Sequence, residues 1–255
     1  MELGISGKTA LITGAGRGIG QAIAESLAKE GVKIVGISRN SRVDSKSHEV
    51  LSFPGTLITA DLFNDVERKL ALNQISKDFS QIDIVVNNVG GTLDVADPLA
   101  AYEDFERVLK FNLGIAVEIN NTFILGMKER GWGRICHISS ISALENHGPP
   151  TYCASKAALN AYIRSVGRFL AEFNIVLTGV MPGAILTNGG YWEDMRNENP
   201  EKLQNYLQNR MASRRLGKVQ EISELVCFLV SEHSSFMFGS NVLADGGQGR
   251  LFTQT

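Results

Sequence analysis

Tyr152 and Lys156 stand four residues apart in Tyr152-Cys-Ala-Ser-Lys156, a stretch of helical period. That spacing puts both side chains on one helix face, about a turn from each other. A phenol with an ordinary pKa near ~10 is a poor acid–base group at neutral pH. A neighbouring ammonium favours the phenolate and draws that pKa towards the working range, so the pair could move a proton to or from an oxygen. Ser140 precedes Tyr152 by 12 positions, just after the apolar run Arg134-Ile-Cys-His-Ile138. Its hydroxyl could donate to the same oxygen, orienting it and stabilising negative charge there.

A second chemistry sits near the N-terminus, in Thr13-Gly-Ala-Gly-Arg-Gly-Ile-Gly20. Glycines let a backbone turn sharply and approach a phosphate closely. The free N–H groups and positive dipole end of a following helix then attract a pyrophosphate. The spacing departs from the G-x-G-x-x-G fingerprint, because position 19 is Ile and position 21 is Gln, and fits T-G-x-x-x-G-x-G instead.

The elements that must carry these groups alternate along the chain. Thr9–Thr13, Lys33–Ile37, Thr56–Ala60, Ile82–Val86, Arg134–Ile138 and Ile175–Val180 read as short buried strands. Helices are expected near 18–30, 64–79, 101–129, 151–173 and 219–231. Strands apolar on both faces and spaced by helices imply a doubly wound parallel sheet, with ligands outside the carboxyl ends of the strands. The sequence is thus expected to form a single α/β Rossmann-like domain over residues 1–255. Two stretches read as irregular. Residues 40–55 are polar and turn-rich, and residues 183–200 combine Gly183, Gly189, Gly190 and Pro200 with Tyr191 and Trp192, a composition suited to a lid over about 183–215.

Bulk properties narrow the setting. The 255 residues carry a formal charge of −2, with 44% hydrophobic and 20% charged side chains, an ordinary globular balance. Neither nucleic acid nor a membrane surface is expected as partner, since no basic stripe with interleaved aromatics and no ~18-residue apolar run is present. Cys136, Cys153 and Cys227 are far apart and odd in number, which suggests no disulfide framework, no metal site and a reducing cytoplasm. The first residues lack the apolar core of a signal peptide.

The motifs together resemble the short-chain dehydrogenase/reductase family, in its branch of about 250 residues that includes 3-oxoacyl-carrier-protein reductase-like members. The resemblance runs through the glycine turn, Asp61-Leu62, Asn87-Asn-Val-Gly90, Asn112, Ile138-Ser-Ser140, Tyr152 with Lys156, Pro182-Gly183 with Thr187, and Asp245-Gly-Gly247. It implies about seven parallel strands with helices on both faces and a cofactor laid across the strand ends. It implies catalytic roles for Asn112, Ser140, Tyr152 and Lys156. Tyr152 would be the proton donor in reduction, Lys156 would also hold the nicotinamide ribose, and Asn112, through a local helix distortion and a bound water, would link Lys156 to solvent. Of the serine pair, matching from Gly133 makes the second the family's catalytic one. The 12-residue gap to Tyr152 is one shorter than close relatives lead one to expect, which leaves Ser139 as an alternative. Cofactor contacts are implied at Gly14, Arg17, Gly18, Ile19, Gly20, Ser38, Arg39, Asp61, Leu62, Asn88, Val89, Gly90, Tyr152, Lys156, Pro182, Gly183, Ile185 and Thr187.

Charge argues for NADP(H) over NAD(H). NAD-binding relatives place an acidic side chain after the second strand, whereas this chain has Ser38-Arg39-Asn40, with Arg17 in the glycine turn. A guanidinium matches the oxygens of a 2′-phosphate. Val89 stands where the family pattern has alanine. His137, on a strand, reads as a satisfied core histidine, and His147 borders the expected substrate loop. The expected activity is hydride transfer between the cofactor and a carbonyl or secondary alcohol. Alternatives are an acyl-carrier-linked 3-oxoacyl or sugar-nucleotide substrate, for which Arg196, Lys202, Arg210, Arg214 and Arg215 would suit an anion. A non-catalytic NADP(H) sensor is a further alternative, although such proteins commonly lose the tyrosine or lysine. The resemblance also implies a homodimer or homotetramer paired through the helices at 101–129 and 151–173.

Overall fold

The computed structural model describes residues 2–39 and 53–250. Residues 40–52, most of the turn-rich stretch read above, lie outside the described residues. The expected strands form: β1 (Thr9–Thr13), β2 (Lys33–Ser38), β3 (Gly55–Thr59), β4 (Ile84–Asn87), β5 (Gly133–Ile138) and β6 (Ile175–Pro182). A short pair, β7 (Ile185–Leu186) and β8 (Gly217–Lys218), stands apart, and β9 (Asn241–Ala244) completes the main sheet. The seven-stranded sheet is parallel, in the order β3-β2-β1-β4-β5-β6-β9. The chain reverses its direction of growth between β1 and β4, which opens a crevice at their carboxyl ends. β9 has no long apolar run and was invisible to periodicity; its four residues are only partly covered or exposed at the sheet edge.

Successive residues of the central strands feed opposite cores. Ala10, Ile12, Ile84 and Val86 pack with Ile23 and Leu27 of α1 (Gly18–Lys29) and with Ile222 and Val226 of an helix at Val219–Leu229. Leu11, Val85 and Ile135 pack on the other side, against Ala71 and Ile75 of α2 (Asp65–Asp78) and against Ile119, Phe123, Leu159 and Ile163. This two-sided burial is why β1, β4, β5 and β6 are enclosed along their whole length and read as near-continuous apolar runs. β4 begins two residues later than periodicity suggests, because Asp83 turns its carboxylate to the Thr9 N–H at 2.9 Å.

The long helix expected over 101–129 is continuous but not uniform. α3 (Tyr102–Leu109) passes through a single π-helical stretch, Lys110–Gly114, into α4 (Ile115–Arg130). Tyr102–Arg130 is long and apolar enough by length and composition to cross a membrane, yet Ile115, Ile119, Phe123 and Met127 are buried against the sheet. α5 (Pro150–Leu170) lies on the same face and starts with a proline whose missing N–H is harmless in a first turn.

The segment read as irregular over 183–200 is irregular only in its first half, apart from the short β7, and helical from Tyr191 onward. α6 (Tyr191–Glu198) and α7 (Pro200–Arg210) follow Gly190, and α8 (Val219–Leu229) comes after β8. Gly190 and Pro200 bound helices here; Pro200 opens α7 and the Asn199 side chain accepts from Lys202 N–H. α6 has no buried residue and α7 buries only Leu203, so neither shows the apolar stripe from which a helix is read.

Because the Thr9 amide is buried and answered by Asp83, Asp83→Ala is expected to lower stability by about 1–3 kcal/mol, read as the urea unfolding midpoint at constant m-value.

Candidate active site

The crevice is built at the end of β1. The Thr13 hydroxyl accepts from Asn88 N–H at 2.9 Å and Val89 N–H at 3.1 Å, joining the tips of β1 and β4. Asn88 returns the contact, donating its side-chain amide to the Thr13 carbonyl at 3.0 Å. Into this frame fits the glycine turn. A Cβ at Gly20 would lie 2.2 Å from the Gly14 carbonyl oxygen, and one at Gly16 would lie 2.1 Å from Ser38 Oγ. Gly14 and Gly18 hold positive φ values of 66° and 57°. The first turn of α1 has no side-chain cap, so its leading N–H groups receive no bond from the Arg17 side chain. A bare, uncapped cradle of this kind fits the pyrophosphate of a dinucleotide. Gly16 was not among the site residues read from the sequence; the packing of Ser38 against it comes from a distant strand, which a local pattern cannot show.

The remaining cofactor candidates line the same edge. Ser38 is partly buried at the end of β2 and Arg39 beyond it is exposed. Asp61 has one carboxylate oxygen on Phe63 N–H at 2.9 Å, and the Leu62 carbonyl accepts from the buried Arg68 at 2.7 Å. Val89 packs its side chain over Gly14, 3.3 Å from where a Cβ would be. Pro182 ends β6, Gly183 follows, Ile185 is buried, and Thr187 sits 3.4 Å from a Cβ position at Gly18. Ile19 is half-buried in the first turn of α1. Arg17 is exposed, its guanidinium donating to the Gly189 carbonyl at 3.4 Å.

Ser140, Tyr152 and Lys156 converge at the ends of β5 and α5. The Ser140 hydroxyl caps the short 3-10 turn Ile141–Ala143, accepting from Ser142 N–H at 3.1 Å, and hydrogen-bonds the Tyr152 phenol. Ser139 points away and donates to Asn160 Oδ1 at 2.7 Å. That geometry puts Ser140, and not Ser139, beside Tyr152. Lys156 lies with its ammonium 5.7 Å from the centre of the Tyr152 ring and donates to the Ile138 carbonyl at 2.8 Å. Asn112 occupies the π-helical stretch. It clasps Gly91, accepting from its N–H at 3.1 Å and donating to its carbonyl at 2.8 Å, and also donates to the Val108 carbonyl. A Cβ at Gly90 would meet both Asn112 Oδ1 at 2.7 Å and Lys156 Nζ at 3.1 Å, so the two side chains border one small space. The Gly91 and Ile138 contacts are main-chain partners, which sequence motifs do not reveal.

Electrostatics set the resting protonation. Burial pushes the Tyr152 phenol above its ordinary value, while the Ser140 hydrogen bond works the other way. The downward pull expected from Lys156 is not seen; the Ser140 hydrogen bond is what opposes burial. Lys156 itself is pulled down to about 7 by burial, so its proton is weakly held. His137 is drawn down to about 3 by burial and by the Lys156 charge, and is a neutral core residue. In the loop before α5, His147 meets the Glu145 carboxylate at 3.0 Å, and the second Glu145 oxygen accepts from Arg250 N–H. Gln248, not foreseen from sequence, is buried and joins Ala184 N–H to the Tyr206 hydroxyl of α7.

Comparison with known proteins agrees with this layout. The family model described as enoyl-(acyl carrier protein) reductase matches residues 14–248. A 3-oxoacyl-[acyl-carrier-protein] reductase of Pseudomonas aeruginosa is 32% identical over 249 residues, covering 96% of this chain and 98% of the relative. An L-sorbose reductase of Gluconobacter frateurii, solved with NADPH and L-sorbose, superposes with a TM-score of 0.87 at 28% identity over 99% of this chain and 100% of that one. A 7α-hydroxysteroid dehydrogenase solved with NADH and a 7-oxo bile acid gives 0.84 at 28% identity, over 99% of this chain and 98% of that one.

The Lys156 shift has a sign that stability can read. Its proton is bound more weakly in the folded protein, so between about pH 7 and the ordinary 10.5 the unfolded chain holds more protons and stability rises with pH. The burial penalty is full below that window and gone above it. Lys156→Met is therefore expected to be more stable than the parent at about pH 6, by at least about 1 kcal/mol, with the gap closing towards about pH 10 in urea titrations.

Proposed function

We propose that this chain, which belongs to the short-chain dehydrogenase/reductase family, passes a hydride between NADP(H) and a carbonyl or secondary alcohol through Ser140, Tyr152 and Lys156. The observation that carries the reading is the convergence of those three side chains at the strand ends, beside a glycine turn whose every Cβ position is filled or strained. A nicotinamide bound there supplies or receives the hydride; the protein's own groups manage the oxygen. Ser140 Oγ accepts from Ser142 N–H and turns its hydrogen to the phenol, from which it would swing to the oxygen of a bound substrate. Tyr152, kept protonated by burial, donates its proton in reduction and takes one in oxidation. Lys156 holds a loosely bound proton on Nζ, 5.7 Å from the centre of the Tyr152 ring and oriented by the Ile138 carbonyl. Asn112 fixes Gly91 and so the wall of the space beside Lys156.

The preference for NADP(H) rests on Ser38 and Arg39 at the end of β2, where a 2′-phosphate would meet a hydroxyl and a guanidinium in place of an acid. Arg17 reaches Gly189 and is the natural link from that phosphate to the lid. Similar structures hold either NADPH or NADH, so the local cations decide the reading. An acyl-carrier-linked 3-oxoacyl substrate is the second reading, favoured by the P. aeruginosa relative. The lid cations argue less for an anionic substrate than their number suggests, because Arg196 pairs with Glu193 at 3.1 Å and Arg215 with Glu221 at 2.6 Å. Assembly as a homodimer or homotetramer is supported by exposed Leu125 on α4 and Phe169 on α5. A cytoplasmic setting is in keeping with free Cys136, Cys153 and Cys227.

The test is nicotinamide absorbance with a panel of ketones and secondary alcohols. Turnover is expected, and Tyr152→Phe should lower kcat by about 100- to 10,000-fold; a variant as active as the parent would refute the mechanism. In the same assay kcat/KM should be higher with NADPH than with NADH, and the reverse order would remove the cofactor assignment.

A further inference from the structure

Behind Lys156 lies a buried polar node that the hydride-transfer reading does not use. Asn87 on β4 and His137 on β5 are register partners on neighbouring strands, and both reach Asn120 of α4. Asn120 Oδ1 accepts from Asn87 Nδ2 at 2.9 Å. Its Nδ2 donates to the Tyr162 hydroxyl at 3.1 Å and faces His137 Nε2 at 3.2 Å. An amide nitrogen only donates, so His137 Nε2 accepts and the ring proton belongs on Nδ1. That Nδ1–H has no protein partner, and neither has Asn87 Oδ1. His137 and Asn120 are fully enclosed, and Asn87 is 5% exposed. An orphan donor and an orphan acceptor thus stand on paired positions of adjacent strands, about 4.8 Å apart in backbone spacing.

We infer that one buried water occupies this node, accepting from His137 Nδ1 and donating to Asn87 Oδ1, and that His137 so held is a positioning residue for Lys156. Buried polar groups of complementary type with no protein partner are the usual seat of a structural water. The path to Lys156 is covalent and short. His137 precedes Ile138, whose carbonyl accepts from Lys156 Nζ at 2.8 Å. Asn87 in turn precedes Asn88-Val89-Gly90, the turn tied to Thr13 and bordering the Lys156 ammonium. The water therefore fixes the two strand ends against which Lys156 is set. His137 stays neutral there, held down by burial and by the Lys156 charge, which keeps its Nδ1 hydrogen available to the water.

The kinetic consequence rests on the reading of Lys156 given above, whereas the water and the tautomer do not. Nitrogen-15 NMR of the imidazoles in the full-length parent, at neutral pH, should show His137 uncharged with its proton on Nδ1. A high-resolution crystal structure should show a water within about 3.2 Å of both His137 Nδ1 and Asn87 Oδ1. A proton on Nε2, a charged ring or no water at that point would overturn the site, whatever the enzyme does. In turnover, His137→Leu should lower kcat about tenfold while the cofactor KM stays within about twofold, and His137→Gln, which offers one acceptor and one donor, should recover most of the loss. Unchanged kcat in His137→Leu would overturn the positioning role. Absence of turnover in the parent would instead defeat the proposed function and leave the water site standing on the NMR and crystal results.

Discussion

One hydroxyl holds the crevice together. Thr13 sits where β1 ends, and its oxygen gathers the amides of Asn88 and Val89 from the end of β4 while reaching the Val86 carbonyl at 3.4 Å. The β1–β4 ladder ends at Ile12 and Val86, so beyond it the tips are joined by a side chain. With the tips joined, Asn88 is free to brace the glycine turn, and the turn delivers the start of α1 to the crevice. The glycine turn and the wall beside Lys156 are consequently two ends of one clamp.

A second theme is the handling of polar groups beneath that clamp. The layer between the sheet and α4 and α5 holds Asn87, Asn120, His137, Ser139 and Lys156, all almost fully buried. Most of their capacity is met within the protein: Ser139 by Asn160, Asn120 by Asn87 and Tyr162, Lys156 by the Ile138 carbonyl. Enclosure works against a lysine charge and against a phenolate alike. The site thus rests with its tyrosine protonated and its lysine close to neutrality, a state set by exclusion of water more than by pairing of opposite charges.

Much of this could be read before any coordinates. The glycine spacing, the Tyr152–Lys156 separation and the alternating apolar runs are local signals, because they reflect backbone sterics and side-chain period. The sheet and most of its strands followed from them. β9, α6 and α7 did not, since an edge strand and helices with almost no buried face lack the periodicity that burial imposes. Ser140 over Ser139 was suggested by a motif, yet only the opposite directions of the two hydroxyls separate them in space. Gly16, Gln248 and the Ile138 carbonyl escaped for a different reason. Each acts through a partner distant in sequence, and nothing about its own residue type announces the contact.

The near-bare α6 carries a consequence for how such a scaffold diversifies. A helix with no buried residue contributes little to the folding equilibrium, and its side chains answer to few neighbours: Tyr191 and Trp192 to each other, and Trp192 to Tyr206. Substitutions there are nearly neutral for the fold, while the turn that leads into α6 meets the glycine turn through the Gly189 carbonyl and Arg17. Selection can therefore revise this edge without disturbing the clamp at Thr13, and chains with the same sheet can drift apart in the surface they present beside the glycine turn.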